Sequence, residues 1–222
     1  MHRTVCPTVR PGFSRIPLLS LALALVVTVS IRAGDDPAAR RPSFVDPLPT
    51  ANLFAPETIR SDFVRLGITP FDDANLRFEI LVPKTWESRP LTISAEERAA
   101  DQEQFVPLAE IVPPDADNVL VEVRYIRLPG EVPLQAIVDH YAREGGFTVV
   151  AQQQGDYNGR SALDVLMTVD AGDLGLMAAR FTLSRHGERV YLVGSSAPAS
   201  VYDTYKKIFS AAAVSFAPAG GR

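Results

Sequence analysis

The chain has 222 residues, a formal net charge of −4 at pH 7 and a single cysteine, Cys6. One cysteine excludes an internal disulfide framework and a cysteine-based zinc site. The acidic balance disfavours nonspecific binding to nucleic acids and to anionic membranes, because both require a basic surface.

Residues 1–33 have the layout of a secretory signal peptide. Basic residues precede an apolar run over 16–31, and the segment contains no acidic residue. The run is shorter than the ~20 apolar residues of a membrane-spanning helix. We therefore expect cleavage after Ala33 and export to the periplasm or the cell exterior, which would change the net charge to −8 because four arginines are removed. An uncleaved segment that anchors the protein in the inner membrane is the alternative.

Residues 34–56 hold five prolines and show no hydrophobic periodicity, so we expect a flexible linker. Residues 57–217 are predicted to fold as a single domain, and residues 218–222 are predicted to form a disordered tail. At the start of the domain, Glu57–Leu66 is interpreted as a short helix that ends at Gly67.

The first clear strand is Leu76–Pro83, where Phe78 and Ile80 point to one side and polar residues to the other. Pro83 stops this strand, and Trp86 follows it. We interpret Trp86 as a plug that closes the core at the strand end, with ligand stacking as the functional alternative.

A long connection, residues 84–118, separates this strand from the next long one. It contains a predicted surface helix over Ser94–Gln104 and a predicted short strand over Phe105–Val112. The connection either carries the specific function or is a decorative insertion. Asn118–Leu128 then alternates as a half-buried strand with Tyr125 on its apolar side.

Residues 147–196 are the centre of the predicted fold. They contain four strand-like segments joined by tight turns, and Asn158-Gly159 is a strong hairpin signal because both residues tolerate positive φ. Connections this short require antiparallel strands. Apolar residues point to both faces of these strands, so the sheet needs a cover on each side.

Two amphipathic helices supply that cover. Pro133–Glu144 carries an apolar stripe that includes Tyr141, and Val201–Ala213 carries a second stripe. Ser200 with Asp203 is a candidate capping box for the second helix. We therefore predict an α+β fold, a three-layer α/β/α sandwich around a mainly antiparallel sheet.

The sequence nominates no catalytic or metal-binding set. His140 and His186 do not have the number or spacing of zinc ligands, and neither Gly-x-Ser-x-Gly nor a glycine-rich phosphate loop occurs. We therefore expect a protein that is not an enzyme and that holds no cofactor or metal. A hydrolase with an unrecognised carboxylate pair is the remaining catalytic alternative.

Short motifs at both ends of the domain share the spacing of a known family. The opening motif is Phe78-x-Ile80-x-x-Pro83-x-x-Trp86, and the closing motifs are Gly187-x-x-x-Tyr191, Ser196-Ala-Pro198, Ile208-Phe209 and Ser215-Phe216. Over residues 53–217 the chain resembles the PsbP-like family, whose relatives include the photosystem II extrinsic subunit, the Ran-binding nuclear-transport factor Mog and bacterial envelope proteins of the DcrB type.

The resemblance implies an α/β/α sandwich and a non-enzymatic role, usually the binding or stabilisation of another protein or a membrane complex. It transfers no functional residue, because the matched positions are packing positions. The DcrB-type proteins are lipid-anchored, whereas this chain has no cysteine after its apolar run.

These observations predict an exported, non-catalytic accessory or binding protein of the bacterial cell envelope. It would contact a partner protein through the 84–118 segment or through an exposed sheet edge, and would meet a membrane only through an uncleaved N-terminal segment. The alternative is a periplasmic carrier of a small molecule or lipid. Its pocket would lie between sheet and helix and be lined by Trp86, Tyr125 and Tyr141.

Overall fold

The computed structural model describes residues 54–89, 91, 105–128 and 132–219. The predicted signal segment, most of the predicted linker and the predicted helix over 94–104 lie outside these ranges. The helices and strands are, in chain order, α1 (Pro56–Asp62), β1 (Phe63–Ile68), β2 (Phe78–Pro83), β3 (Glu87–Arg89), β4 (Val106–Val112), β5 (Leu120–Arg127), α2 (Leu134–Glu144), β6 (Thr148–Tyr157), β7 (Arg160–Asp170), β8 (Leu176–His186), β9 (Arg189–Pro198), α3 (Tyr202–Ser215) and β10 (Ala217–Pro218).

A seven-stranded antiparallel sheet forms the centre of the fold, in the order β3-β4-β5-β9-β8-β7-β6. The four predicted strands of the central stretch are confirmed as β6 to β9. Asn158 and Gly159 connect β6 to β7 with φ values of 53° and 74°. This two-residue turn has positive φ at both positions, as the predicted hairpin requires.

The two faces of this sheet bury separate hydrophobic clusters. Cluster one packs one face against α3 and includes Val121, Val193 and Phe209. Cluster two packs the opposite face against α2 and includes Val138 and Phe181. The α+β sandwich with one helix on each face is therefore confirmed.

A second, three-stranded sheet, β1-β2-β10, shares the cluster-one face with α3. The predicted helix over Glu57–Leu66 is wrong beyond Asp62, because β1 starts at Phe63 and pairs with β2. The predicted tail is also wrong at its first residue, since Pro218 is buried and pairs with Phe78. In both cases pairing with β2 decides the local structure. For β10 this partner lies far away in the sequence.

The 84–118 segment contributes to the core through β4. This strand pairs with β5 and buries Leu108 and Ile111 in cluster one. That part of the segment is therefore not a decorative insertion. Trp86 is also buried, 7% exposed, and its ring meets Tyr205 and Phe209 of α3. Its predicted role as a plug is confirmed.

The helix ends follow the sequence signals in one case and not in the other. Pro133 precedes α2 and Gly145 ends it, as predicted. The capping box of Ser200 and Asp203 is wrong: α3 starts at Tyr202, its N-cap residue is Val201, and no side chain caps it. None of the helices within the described ranges is both long and apolar enough to span a bilayer.

Candidate binding surface

Strand β6 forms one outer edge of the seven-stranded sheet. It is 10 residues long, and most of its side chains are exposed or half-buried. From Thr148 to Gly155 it carries no charged residue. An edge strand presents a row of unpaired N–H and C=O groups, and natural edges are usually short, charged or covered. Within the described residues, β6 is long, is uncharged from Thr148 to Gly155 and is covered by no further strand. A single bulge is its one irregularity there.

The opposite edge differs in each respect. Strand β3 is 3 residues long, all of them exposed, and it carries Glu87 and Arg89. Its length and its charges discourage the addition of another strand. The two edges therefore distinguish a protected side of the sheet from an open one.

Exposed apolar side chains gather at the end of the sheet where β6 begins. Val149, Val150, Leu176 and Val201 are 40%, 41%, 42% and 39% exposed. Val149 pairs with Met167 on β7, and the carbonyl of Leu176 accepts a hydrogen bond from Ala199, two residues before Val201. We call Val149, Val150, Leu176 and Val201 the apolar rim. Val149 lies on the cluster-two side with its partner Met167, whereas Leu176 lies on the cluster-one side with Ala178, so the rim surrounds this end of the sheet. Exposed apolar side chains beside an open strand edge are typical of a protein-contact surface.

The bulge of β6 lies inside this rim. The register between β6 and β7 shifts between Val149 and Ala151, which leaves Val150 as the extra residue. A bulge bends its strand and re-aims the extra side chain. Val150 consequently stands at the edge as an exposed apolar group rather than as a member of either core cluster.

A buried polar network lies on the cluster-one face beside α3. Asp164 of β7 is fully buried, and Arg180 of β8 is 4% exposed. The Arg180 guanidinium donates to Asp164 through Nε (2.9 Å to Oδ1) and through Nη2, and its Nη1 donates to Ser210 of α3. Thr182 Oγ1 and Tyr157 OH complete the shell of Asp164 at 3.0 and 3.2 Å.

This network joins the sheet to α3. The carboxylate of Asp164 accepts from Arg180, Thr182 and Tyr157, so its burial is compensated by charge-assisted hydrogen bonds. Burial, followed by the adjacent Asp164 charge, raises the pKa of Tyr157 well above its usual value. Because Asp164 is closed off from solvent, the network fixes α3 against β7 and β8 rather than offering a reactive group to a substrate.

Sequence reasoning missed this network, although a signal for it is visible. Asp164 stands between Leu163 and Val165, and Arg180 stands between apolar neighbours in β8. A charge within the central strands of a covered sheet must find a partner, because an unpaired buried charge is strongly unfavourable.

The β6–β7 turn makes a further link to α3. Asn158 Nδ2 donates to the carbonyl of Val214 at 2.8 Å, and Arg160 donates to the carbonyl of Phe216. These carbonyls lie at the C-terminal end of α3, where backbone oxygens lack partners within the helix. The far end of β6 is thus held in place, while its other end carries the apolar rim.

The three aromatic residues predicted to line one pocket lie in two different clusters. Trp86 and Tyr125 belong to cluster one, where the Tyr125 ring packs on Tyr191. Tyr141 lies on α2, packs on Phe105 and belongs to cluster two, on the opposite face of the sheet. The structure therefore does not bring the three rings together, and a ligand for any of them stays a prediction.

No group of three or more histidine, cysteine or acidic residues converges as a possible metal site within the described ranges. Neither His140 nor His186 meets such a set there. The predicted absence of a metal or cofactor stays a prediction.

The fold is that of the PsbP-like proteins. No family model matches the chain. No curated protein matches it either. Among solved structures, the chain is similar to cyanobacterial PsbP from Synechocystis, with 12% identity over 71% of this chain and 93% of that chain and a TM-score of 0.51. LpqN of Mycobacterium tuberculosis, a protein involved in cell envelope biogenesis, matches with 13% identity over 72% and 94% and a TM-score of 0.49. At these identities the likeness concerns the fold alone.

Proposed function

We propose that this protein is an exported, non-catalytic accessory protein of the bacterial cell envelope that binds another protein through the β6 edge. The observation that carries the proposal is the contrast between the two sheet edges. Strand β6 is long, uncharged from Thr148 to Gly155 and exposed, whereas β3 is short and charged.

An added strand would satisfy the outward backbone groups of β6. Addition of a partner strand to a sheet edge obtains its affinity from main-chain hydrogen bonds and its specificity from side-chain contacts. The apolar rim supplies such contacts at the start of β6. The rigid anchorage of the other end, through Asn158 and the buried network, keeps the edge in a defined position.

Two features support the envelope location and the absence of catalysis. The segment over residues 1–33 has the pattern of an export signal. The buried charged pair of the domain serves the packing of α3 and is closed to substrates.

We further propose a relation to the bacterial DcrB-type and the Mog-type members of the PsbP-like family. The opening motif supports it only as a packing motif. Phe78, Ile80 and Trp86 are all buried in cluster one, so they specify the fold and not a binding activity.

Site-specific photocrosslinking in intact cells tests the proposed function. A photoreactive amino acid replaces Val150 on the open edge, and in a matched variant it replaces Ser88 on β3. We expect a discrete crosslinked protein from position 150 and none from position 88. Crosslinks from Ser88 alone would show that the partner binds at the 84–118 segment instead. The absence of crosslinks from both positions would contradict a protein-binding role.

A further inference from the structure

We propose that the occupant of the β6 edge is a cationic, extended segment of another protein. Its apolar residues would cover the apolar rim, and its lysine or arginine side chains would face the acidic groups around β6. This inference rests on the proposed function and specifies the chemistry of the partner.

The charge distribution around the edge supplies the first argument. From Arg143 to Ala179 the sequence contains five acidic residues and two basic residues, Arg143 and Arg160. Asp164 is buried and paired with Arg180, and it therefore contributes nothing to the surface. Arg160 donates to the carbonyl of Phe216 at the far turn, and its positive charge interacts with Asp156.

The remaining acidic residues are exposed and lie at both ends of the edge. Glu144 precedes β6, and Asp156 is close to its end. Asp170 and Asp173 flank the turn between β7 and β8, next to Leu176 of the rim. Asp170 and Asp156 each accept one backbone hydrogen bond within their own turns and remain exposed. Four acidic residues and two basic ones, Arg143 and Arg160, therefore flank the uncharged stretch of β6, a net charge of −2. This balance favours a cationic segment and disfavours an anionic one.

The size of the rim supplies the second argument. Val149 is on β6 and Leu176 is on β8, two strands away, and Val201 follows β9. Neighbouring strands are about 4.8 Å apart, so the rim extends roughly 10 Å or more from the edge towards the centre of the sheet. One side chain of an added strand does not cover this distance. The bound segment must therefore continue past the start of β6 with apolar residues that lie across the end of the sheet.

The charges around the edge favour a cationic segment over a second copy of this chain. The stretch from Thr148 to Gly155 has no charge that would orient a partner strand by itself. The charges that flank it are mainly acidic, so two copies of this edge placed side by side bring a net negative charge against another, which is unfavourable. A partner of opposite charge is favoured over a second copy of this chain.

The test measures binding of labelled peptides to the purified exported protein by fluorescence anisotropy. One decapeptide alternates valine and threonine with flanking lysines, and a second has glutamates in place of the lysines. We expect the lysine peptide to bind about 5-fold or more tightly at low salt, and the difference to shrink at 0.5 M NaCl because exposed charges are screened.

Variants assign the effect to the surface. Val150→Lys places a charge in the rim, and the pair Asp170→Asn with Asp173→Asn removes two negative charges while keeping an acceptor for the turn. We expect the first variant to abolish binding and the double variant to remove most of the preference for the lysine peptide. Ser88→Lys, on the opposite edge, is the matched control and should bind as the unaltered protein does.

Each remaining outcome contradicts the inference. Equal binding of the two peptides, or tighter binding of the glutamate peptide, overturns the cationic class while leaving edge binding intact. Binding that survives Val150→Lys overturns the site. A purified protein that is dimeric by light scattering and becomes monomeric in the Val150→Lys variant identifies a second copy as the occupant. If neither peptide binds but position 150 still crosslinks in cells, the inference fails and the proposed function stands.

Discussion

The buried pair of Asp164 and Arg180 allows the sharpest stability prediction. Both side chains are almost fully buried, and the pair links β7, β8 and α3. Replacement of Asp164 by alanine leaves the Arg180 guanidinium in the interior without its carboxylate counter-ion. The loss of this counter-ion is the source of the expected destabilisation, since the removal of one partner of a buried ion pair typically costs about 3–5 kcal/mol of unfolding free energy.

The structure also predicts how that loss is recovered. Substitution of both residues by apolar ones, Asp164→Leu with Arg180→Met, removes the charge together with its partner. Thr182 and Tyr157 lose an acceptor in this variant, so recovery should be large but incomplete. We expect the double variant to be at least about 2 kcal/mol more stable than Asp164→Ala.

Urea unfolding followed by circular dichroism provides the assay, with the single and double variants measured under identical conditions. In thermal unfolding, 3–5 kcal/mol corresponds to a decrease of roughly 6–20 °C in Tm for a domain of this size. Ser161→Ala, at an exposed position on β7, is the control and should change the free energy by less than about 0.5 kcal/mol. If Asp164→Ala lowers the free energy of unfolding by less than about 1 kcal/mol, the pair does not hold α3 against β7 and β8.

Three further predictions concern the same framework. Gly159→Ala should destabilise the protein by about 1–2 kcal/mol in urea unfolding, because its φ of 74° is unfavourable for an L-residue even though no atom crowds the added methyl; an unchanged midpoint would show that the turn adapts. Trp86→Ala should cost about 3–5 kcal/mol and Trp86→Phe much less, since the ring fills the contact with α3; equal losses would contradict a packing role. Burial raises the pKa of both Tyr157 and Tyr202. The two phenols therefore stabilise the folded state fully below pH ~10, where unfolded tyrosine begins to ionise, and the free energy of unfolding should fall as the pH rises above it. Ultraviolet titration should show these two phenols missing from the ordinary tyrosine transition, and full titration near pH 10 in the folded protein would refute the assignment.

The sequence predicts the central sheet well because its determinants are local. Asn158 and Gly159 both favour positive φ, and the short turns leave no room for parallel pairing, so strand order within β6 to β9 follows directly. The apolar residues on both faces then require two covers, and the amphipathic helices at Leu134–Glu144 and Tyr202–Ser215 provide them.

Pairing with β2 explains where sequence reasoning fails. The residues of β1 have apolar positions compatible with a helix, but Phe63–Ile68 gains a complete ladder with β2 as a strand. Likewise, the residues near Ala217 and Pro218 do not predict the pairing with β2, because that strand precedes them by more than a hundred residues. Membership of a second sheet is a property of the folded chain and not of either segment alone.

The candidate site shows the same division. The β6 strand and its lack of charge are visible in the sequence, but its position at the edge depends on the order of all seven strands. The separation of Tyr141 from Trp86 and Tyr125 likewise depends on which face each helix covers. A set of aromatic residues in a sequence therefore does not predict a shared pocket.

Amide hydrogen exchange along β6 tests the central claim most directly. In the purified protein, the outward amides of Thr148–Tyr157 should exchange far faster than those of the central strand Leu176–His186, because no neighbour pairs with them. Addition of the lysine peptide should slow exchange in β6 and leave Glu87–Arg89 unchanged. Equal protection of β6 and β8 in the free protein, or peptide-induced protection at β3 instead of β6, would contradict the account.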